Sequence, residues 1–159
     1  MAAGLTKSVS LLQAAGEALP FADKSFDVVS EFADLHHVPN PSAVVREMLR
    51  VARKAIVIVD SNRFGQGSMP AKLLKLTLYK LGPWSAFNFM RTRGKNYQVS
   101  EGDGLFYSYS VYDSFSLLTR WADRLLVHTN STACGGWTYL LLTTPGLAII
   151  AIRDGEHRS

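Results

Sequence analysis

Two carboxylates, two adjacent histidines and a short polar run stand where apolar stretches end. Glu31 follows FDVVS, Asp60-Ser61-Asn62-Arg63 follows AIVIV, and His36 and His37 lie between them. Histidine titrates near neutral pH, so either ring suits a substrate-facing general base. The structural alternative is one packed ring and one exposed ring. Adjacent histidines point in different directions and no Cys, Asp or Glu stands at ligand spacing, so no metal site is expected. Cys134 is the only cysteine, which excludes an intramolecular disulfide and a Cys-rich zinc site. Tyr107 and Tyr109 share one face if their segment is a strand, and Phe106 and Tyr112 complete an aromatic set beside them.

Charge is unevenly placed. The chain of 159 residues carries a formal charge of +4, and seven basic residues fall between Ser61 and Tyr97 with no Asp or Glu among them. They are Arg63, Lys72, Lys75, Lys80, Arg91, Arg93 and Lys95. Such a field favours anionic substrates, phosphate groups or an acidic membrane surface; a solvated helix face plus a loop is the plain alternative. Trp84, Phe87, Phe89 and Tyr97 lie nearby, as aromatic residues do in nucleic-acid sites. No recognisable nucleic-acid motif accompanies them, so nucleic acid is not an expected partner.

The elements that must hold these residues are readable. Ser8 to Gln13 suggests a short strand. Phe26 to Val29 is an apolar run suited to an interior strand covered on both faces. Asn40 and Pro41 start a helix whose residues Val44, Val45, Met48, Leu49 and Ala52 recur on one side, with Arg53 and Lys54 at its negative end. Ala55 to Val59 is the clearest strand. Strand, helix, strand in this order predicts a right-handed βαβ unit, and ligands in such sheets bind beyond the carboxyl ends of the strands. Those ends are Ser30-Glu31 and Asp60-Ser61-Asn62. Pro70 to Leu81 reads as an apolar helix, either core or lid. Asp113 is a candidate cap for a helix reaching about Asp123. Arg124 to His128 and Leu147 to Ile152 read as strands, the second following an apolar segment that starts at Trp137 and turns at Pro145-Gly146. One domain is expected over residues 1–159, with 63–111 as a substrate-side insertion or lid. No apolar run reaches the roughly 18 residues of a membrane span, and a secretory leader is not expected; the lack of disulfides fits a cytoplasmic protein.

Two strings carry a family resemblance. GEALPFADKSFDVV (Gly16 to Val29) and ADLHHVPNPSAVVREMLRVARKAIVIVD (Ala33 to Asp60) resemble class I S-adenosylmethionine (SAM) dependent methyltransferases of the type 11-like group. The resemblance implies an α/β fold, a Rossmann-like methyltransferase sheet with helices on both faces, and SAM at the strand ends. It places the adenine at Ala15, Gly16 and Glu17, with Ala15 where the family often has an Asp. It sets Ser30, Glu31 and Phe32 along the methionine part, where Glu31 can pair with the ammonium. His36, His37, Asp60, Asn62, Arg63, Tyr107 and Tyr109 then fall on the substrate side. Methyl transfer needs chiefly alignment of nucleophile, methyl and leaving sulfur, so no fixed catalytic residue is implied.

The family's first strand and its glycine-rich turn have no counterpart here, since only Gly4 precedes Gly16. The sheet is therefore expected to be partial, lacking its first two strands, with unpaired backbone on the strand at Phe26. A second copy or a partner chain is a candidate cover. Two functions follow: a methyltransferase acting on a small-molecule acceptor, or a noncatalytic interaction module that keeps the later half of the fold.

Overall fold

A computed structural model describes residues 10–102, 104–129 and 144–154. Cys134, Asp103, Ser8, Val9 and the apolar segment from Trp137 to Thr143 lie outside these. The main sheet contains β1 (Phe26–Phe32), β2 (Ala52–Ser61), β5 (Arg124–Thr129) and β6 (Gly146–Ile152), in the order β1-β2-β6-β5. β1 and β2 are parallel and joined by helix α1 (Pro41–Val51), which is the expected βαβ unit. β6 lies antiparallel to β2 on its other side, with Ile58 opposite Ile149, and β5 lies antiparallel to β6. The two late strands read from the sequence are this antiparallel pair.

Helix α1 forms as its ends dictate. The Asn40 side chain accepts from the Ala43 N–H at 3.3 Å, and Pro41 begins the first turn without needing a partner. Val45, Met48 and Val51 are buried against the sheet, while Val44 and Leu49 pack around them. Helix α4 (Phe115–Trp121) adds Leu118 to the same core, which Ile56, Ile58, Leu147, Ile149 and Ala151 build from the sheet side. Burying each such side chain is worth about 1.5–3 kcal/mol.

The polar side of α1 has a second task. Arg50 donates to the carbonyls of Phe21 (2.8 Å) and Leu19 (2.9 Å) and to the Asp23 carboxylate (2.8 Å). Glu47 accepts from the Leu19 N–H at 2.9 Å and from Arg50. Arg50, and then the Leu19 amide, hold the Glu47 carboxyl down to about 2. The LPFAD loop is thus strapped to the helix by charge-assisted bonds rather than by burial.

Several expectations change. Ser10 to Gln13, the described part of the first candidate strand, has no regular structure. β1 is the edge of the described sheet, as the expected partial sheet required, and not the covered strand its apolar run suggested; Val28 is 57% and Phe32 63% exposed. Arg53 and Lys54 belong to β2 and pair with Asp27 instead of facing a helix end. β2 begins so soon after α1 that no further helical turn is available to them. Ser110, not Asp113, caps the turn at Val111–Ser114, and Asp113 bonds back to the Ser110 N–H at 3.1 Å.

The segment between β2 and α4 forms helix α2 (Met69–Lys80), helix α3 (Trp84–Arg91) and a hairpin of β3 (Tyr97–Ser100) and β4 (Gly104–Tyr107). No residue of α2 is fully buried, and Leu73 and Leu74 stay half exposed, so core packing does not explain its apolar content. Among the described residues no helix is long and apolar enough to cross a membrane. Gly65 fixes where this segment leaves β2, because a Cβ there would lie 1.9 Å from the Thr144 carbonyl oxygen. Gly65→Ala must therefore displace backbone. We expect a loss of about 1–3 kcal/mol, read as a lower midpoint in urea denaturation with an unchanged slope.

Candidate active site

The parallel pairing of β1 and β2 brings their carboxyl ends side by side, with Glu31 opposite Ile58 and Phe32 opposite Val59. Ala33 then adopts a left-handed conformation (φ 60°) while its N–H still reaches the Val59 carbonyl at 2.7 Å. This turns the chain off the strand and into a short 3-10 turn at Leu35–His37.

Two buried carboxylates hold that turn. Glu31 Oε1 accepts from the N–H groups of Asp34 (2.6 Å) and Leu35 (3.2 Å). Its Oε2 is buried with no hydrogen-bond partner among the described residues. Asp60 accepts from the His36 backbone N–H at 3.2 Å, and its Oδ1 lies 2.6 Å from His36 Nδ1. Carboxylate and imidazole at this separation fix the ring orientation as they do in hydrolase triads. The His37 ring lies 4.0 Å from the His36 ring, against the expectation that the two point in different directions, and its Nδ1 is 2.7 Å from the Leu105 carbonyl, which ties the β3–β4 hairpin to the same turn. Among the described residues no cluster of His, Cys, Asp or Glu is placed to hold a metal ion.

Beyond the turn, β2 delivers Asn62 and Arg63. Asn62 is fully buried; its amide donates to the Thr144 carbonyl at 2.8 Å and its oxygen accepts from Phe64 N–H at 3.1 Å. Arg63 is 8% exposed, pairs with Asp113, and stacks 5.3 Å from the centre of the Trp84 ring and 5.5 Å from that of Tyr79. Burial draws its pKa down to about 10. Tyr109 is buried with its hydroxyl 2.8 Å from Ser114 Oγ, and burial pushes that phenol well above its ordinary value.

Two adjoining clefts of about 500 and 530 Å3 open between these residues, α2, α3 and the hairpin. Arg63, Tyr107 and Tyr109 line both, and His36 lines the larger. Asp60 and Asn62 line neither cleft; Asp60 contacts His36, and Asn62 holds the turn that carries Arg63. Ala15, Gly16 and Glu17 lie apart from both clefts, with Gly16 against Val44 of α1. Ser30, Glu31 and Phe32 are the last residues of β1 itself; Ser30 and Phe32 project to the opposite face from Glu31. Lys75 and Arg91 of the acid-free basic stretch, Phe106 of the aromatic set, and Trp84 and Phe87 beside that stretch also line the larger cleft. Gln98 joins them and carries no signal in the sequence.

With that geometry in place, the likeness to known proteins is specific. Residues 2–59 match the methyltransferase domain family. An uncharacterized methyltransferase of Mycolicibacterium paratuberculosis is 32% identical over 124 residues, covering 72% of this chain and 49% of that protein. An uncharacterized methyltransferase of Mycobacterium leprae is 32% identical over 100 residues, covering 63% of this chain and 37% of that protein. The chain thus spans about half or less of these relatives' length. By fold it is similar to a SAM-dependent methyltransferase of Methanosarcina mazei (TM-score 0.52, 20% identity, 90% of this chain and 66% of that one). It is also similar to a SAM-dependent methyltransferase of Thermotoga maritima described as a possible histamine N-methyltransferase (TM-score 0.52, 15% identity, 92% of this chain and 65% of that one). Residues 2–59 thus match the methyltransferase domain family, and the sheet has the Rossmann-like fold of SAM-dependent methyltransferases, as the two strings implied.

The Glu31 carboxyl carries a measurable signature. Burial, opposed in part by the Asp34 amide and reinforced by the charge of Asp60, pushes it up to about 7 from its ordinary 4.5. A raised carboxyl favours the folded state while it is protonated there. Stability should therefore fall as pH rises from about 4.5 to about 7. Glu31→Gln keeps one oxygen for the Asp34 and Leu35 amides and removes the titration. Its unfolding free energy should be flatter across that window in urea titrations at a series of pH values.

Proposed function

We propose that the chain is the SAM-binding and acceptor-binding part of a methyltransferase acting on a small molecule. The observation that carries this reading is Glu31. Its buried Oε2 has no hydrogen-bond partner among the described residues and stands at the carboxyl end of β1, where the resemblance implies SAM. An unpartnered buried carboxylate oxygen fits an ammonium group, which the methionine part of SAM carries. When bound, SAM supplies an electrophilic methyl group on a sulfonium sulfur. Glu31 would hold the ammonium, and Ala15, Gly16 and Glu17 are the positions proposed for the adenine. His36, oriented by Asp60, faces the cleft and is placed to accept a proton from an acceptor hydroxyl or amine. Arg63, Tyr107 and Tyr109 shape the acceptor side, and the segment 63–111 covers the strand ends as a lid.

Calorimetry of SAM binding tests this reading. An ammonium against Glu31 should lower its pKa, so binding near pH 7 should release about half a proton, seen as a dependence of heat on buffer ionisation. Glu31→Gln should bind more weakly and release none. Transfer of radiolabel from SAM should fall about 100-fold in His36→Asn. Failure of the chain to bind SAM would sink the proposal.

A noncatalytic interaction module is the second reading, favoured by the exposed apolar side chains of Val28 and Phe32 on edge strand β1. It requires a stable complex, with another copy or a partner chain, and no SAM binding.

A further inference from the structure

The larger cleft is electrically lopsided. Arg63, Lys75 and Arg91 line it, and none of the residues lining it is an aspartate or glutamate. Arg63 already has Asp113 as its counter-charge on the side of the smaller cleft. Lys75 and Arg91 have none: among the described residues neither forms an ion pair. The Lys75 ammonium donates two protons to the carbonyls of Arg63 and Gln66, each at 2.8 Å, leaving its third donor. Burial, together with the charges of Arg91, Lys72 and Arg63, lowers the Lys75 pKa, so these cations repel one another. His36 also lines it, with its ring on the Asp60 carboxylate. A lining with three cations and no carboxylate suits something anionic. The rings of Trp84, Phe87, Phe106, Tyr107 and Tyr109 belong to the same lining. A volume of about 530 Å3 suits a small organic ligand.

Building on the assignment of this cleft as the acceptor site, we propose that the acceptor is an aromatic organic acid. Its ring packs among Trp84, Phe106 and Tyr107, and its anionic group meets Lys75 and Arg91. The anion satisfies the free donor of Lys75 and relieves the repulsion among the cations. Stacking on the rings supplies the apolar part of the affinity.

The test compares 4-hydroxybenzoate with 4-hydroxybenzamide, which has the same ring and no charge, by calorimetric titration of the chain without SAM. The acid should bind about tenfold more tightly, as one hydrogen bond to a charged group is worth. Its advantage should shrink as potassium chloride is raised. Lys75→Met combined with Arg91→Met should abolish the preference, and Lys75→Arg should retain it. If the double variant loses its far-UV circular dichroism, the single Arg91→Gln variant, altered at an exposed position, must still halve the preference or more. Equal binding of acid and amide, tighter binding of the cation tyramine, no binding of either at millimolar concentration, or a preference that survives the variants would each overturn the proposal. Because SAM is left out, a chain that fails to bind SAM can still pass this test, and one that binds SAM can still fail it.

Discussion

The backbone of β2 needs partners on both sides, and most of the structure follows from meeting that need. An unpaired buried amide or carbonyl costs more than most single contacts supply. β1 pairs with β2 in parallel and β6 pairs antiparallel, so the strand is enclosed along its length. The parallel pairing forces a crossover, and α1 provides it. The same pairing aligns the carboxyl ends of β1 and β2, which sets Glu31 and Asp60 as neighbours around one turn. Nothing else in the fold brings these two acids together.

What β2 carries past its end is held by polar bonds rather than by apolar packing. Asn62 ties the strand end to Thr144, and the Asn62 N–H reaches the Pro145 carbonyl at 2.7 Å. Gly65 then lies so close to Thr144 that no side chain fits. This junction sets where Arg63 emerges, and Arg63 in turn organises Asp113, Tyr79 and Trp84. A cation with 8% exposure is tolerable because a carboxylate and aromatic faces surround it. The cleft wall is therefore an extension of the sheet's hydrogen-bonding, not an independent loop.

The charges around the cleft divide by element. Acids come from the sheet ends, where burial and mutual repulsion raise Glu31. Bases come from α2 and α3, which carry no acidic residue, and α2 leaves Leu73 and Leu74 half exposed.

The sequence alone determined the βαβ unit, the cap at Asn40, the late antiparallel pair and the family, because these depend on local periodicity, capping chemistry and contiguous motifs. It also marked the polar strand ends as the site. It did not reveal that Arg50 straps the LPFAD loop from 27 to 31 positions away. Nor did it show that Asp60 orients His36, or that Glu31 keeps one buried oxygen without a partner among the described residues. Lys75 and Arg91 look like ordinary surface charges until α2 and α3 fold toward Trp84 and the hairpin. Those facts depend on which segments meet in space, and pairing across long separations leaves no periodic trace in either partner. Tertiary structure decided them by burying some polar groups, pairing others, and leaving Glu31, Lys75 and Arg91 with capacity to spare.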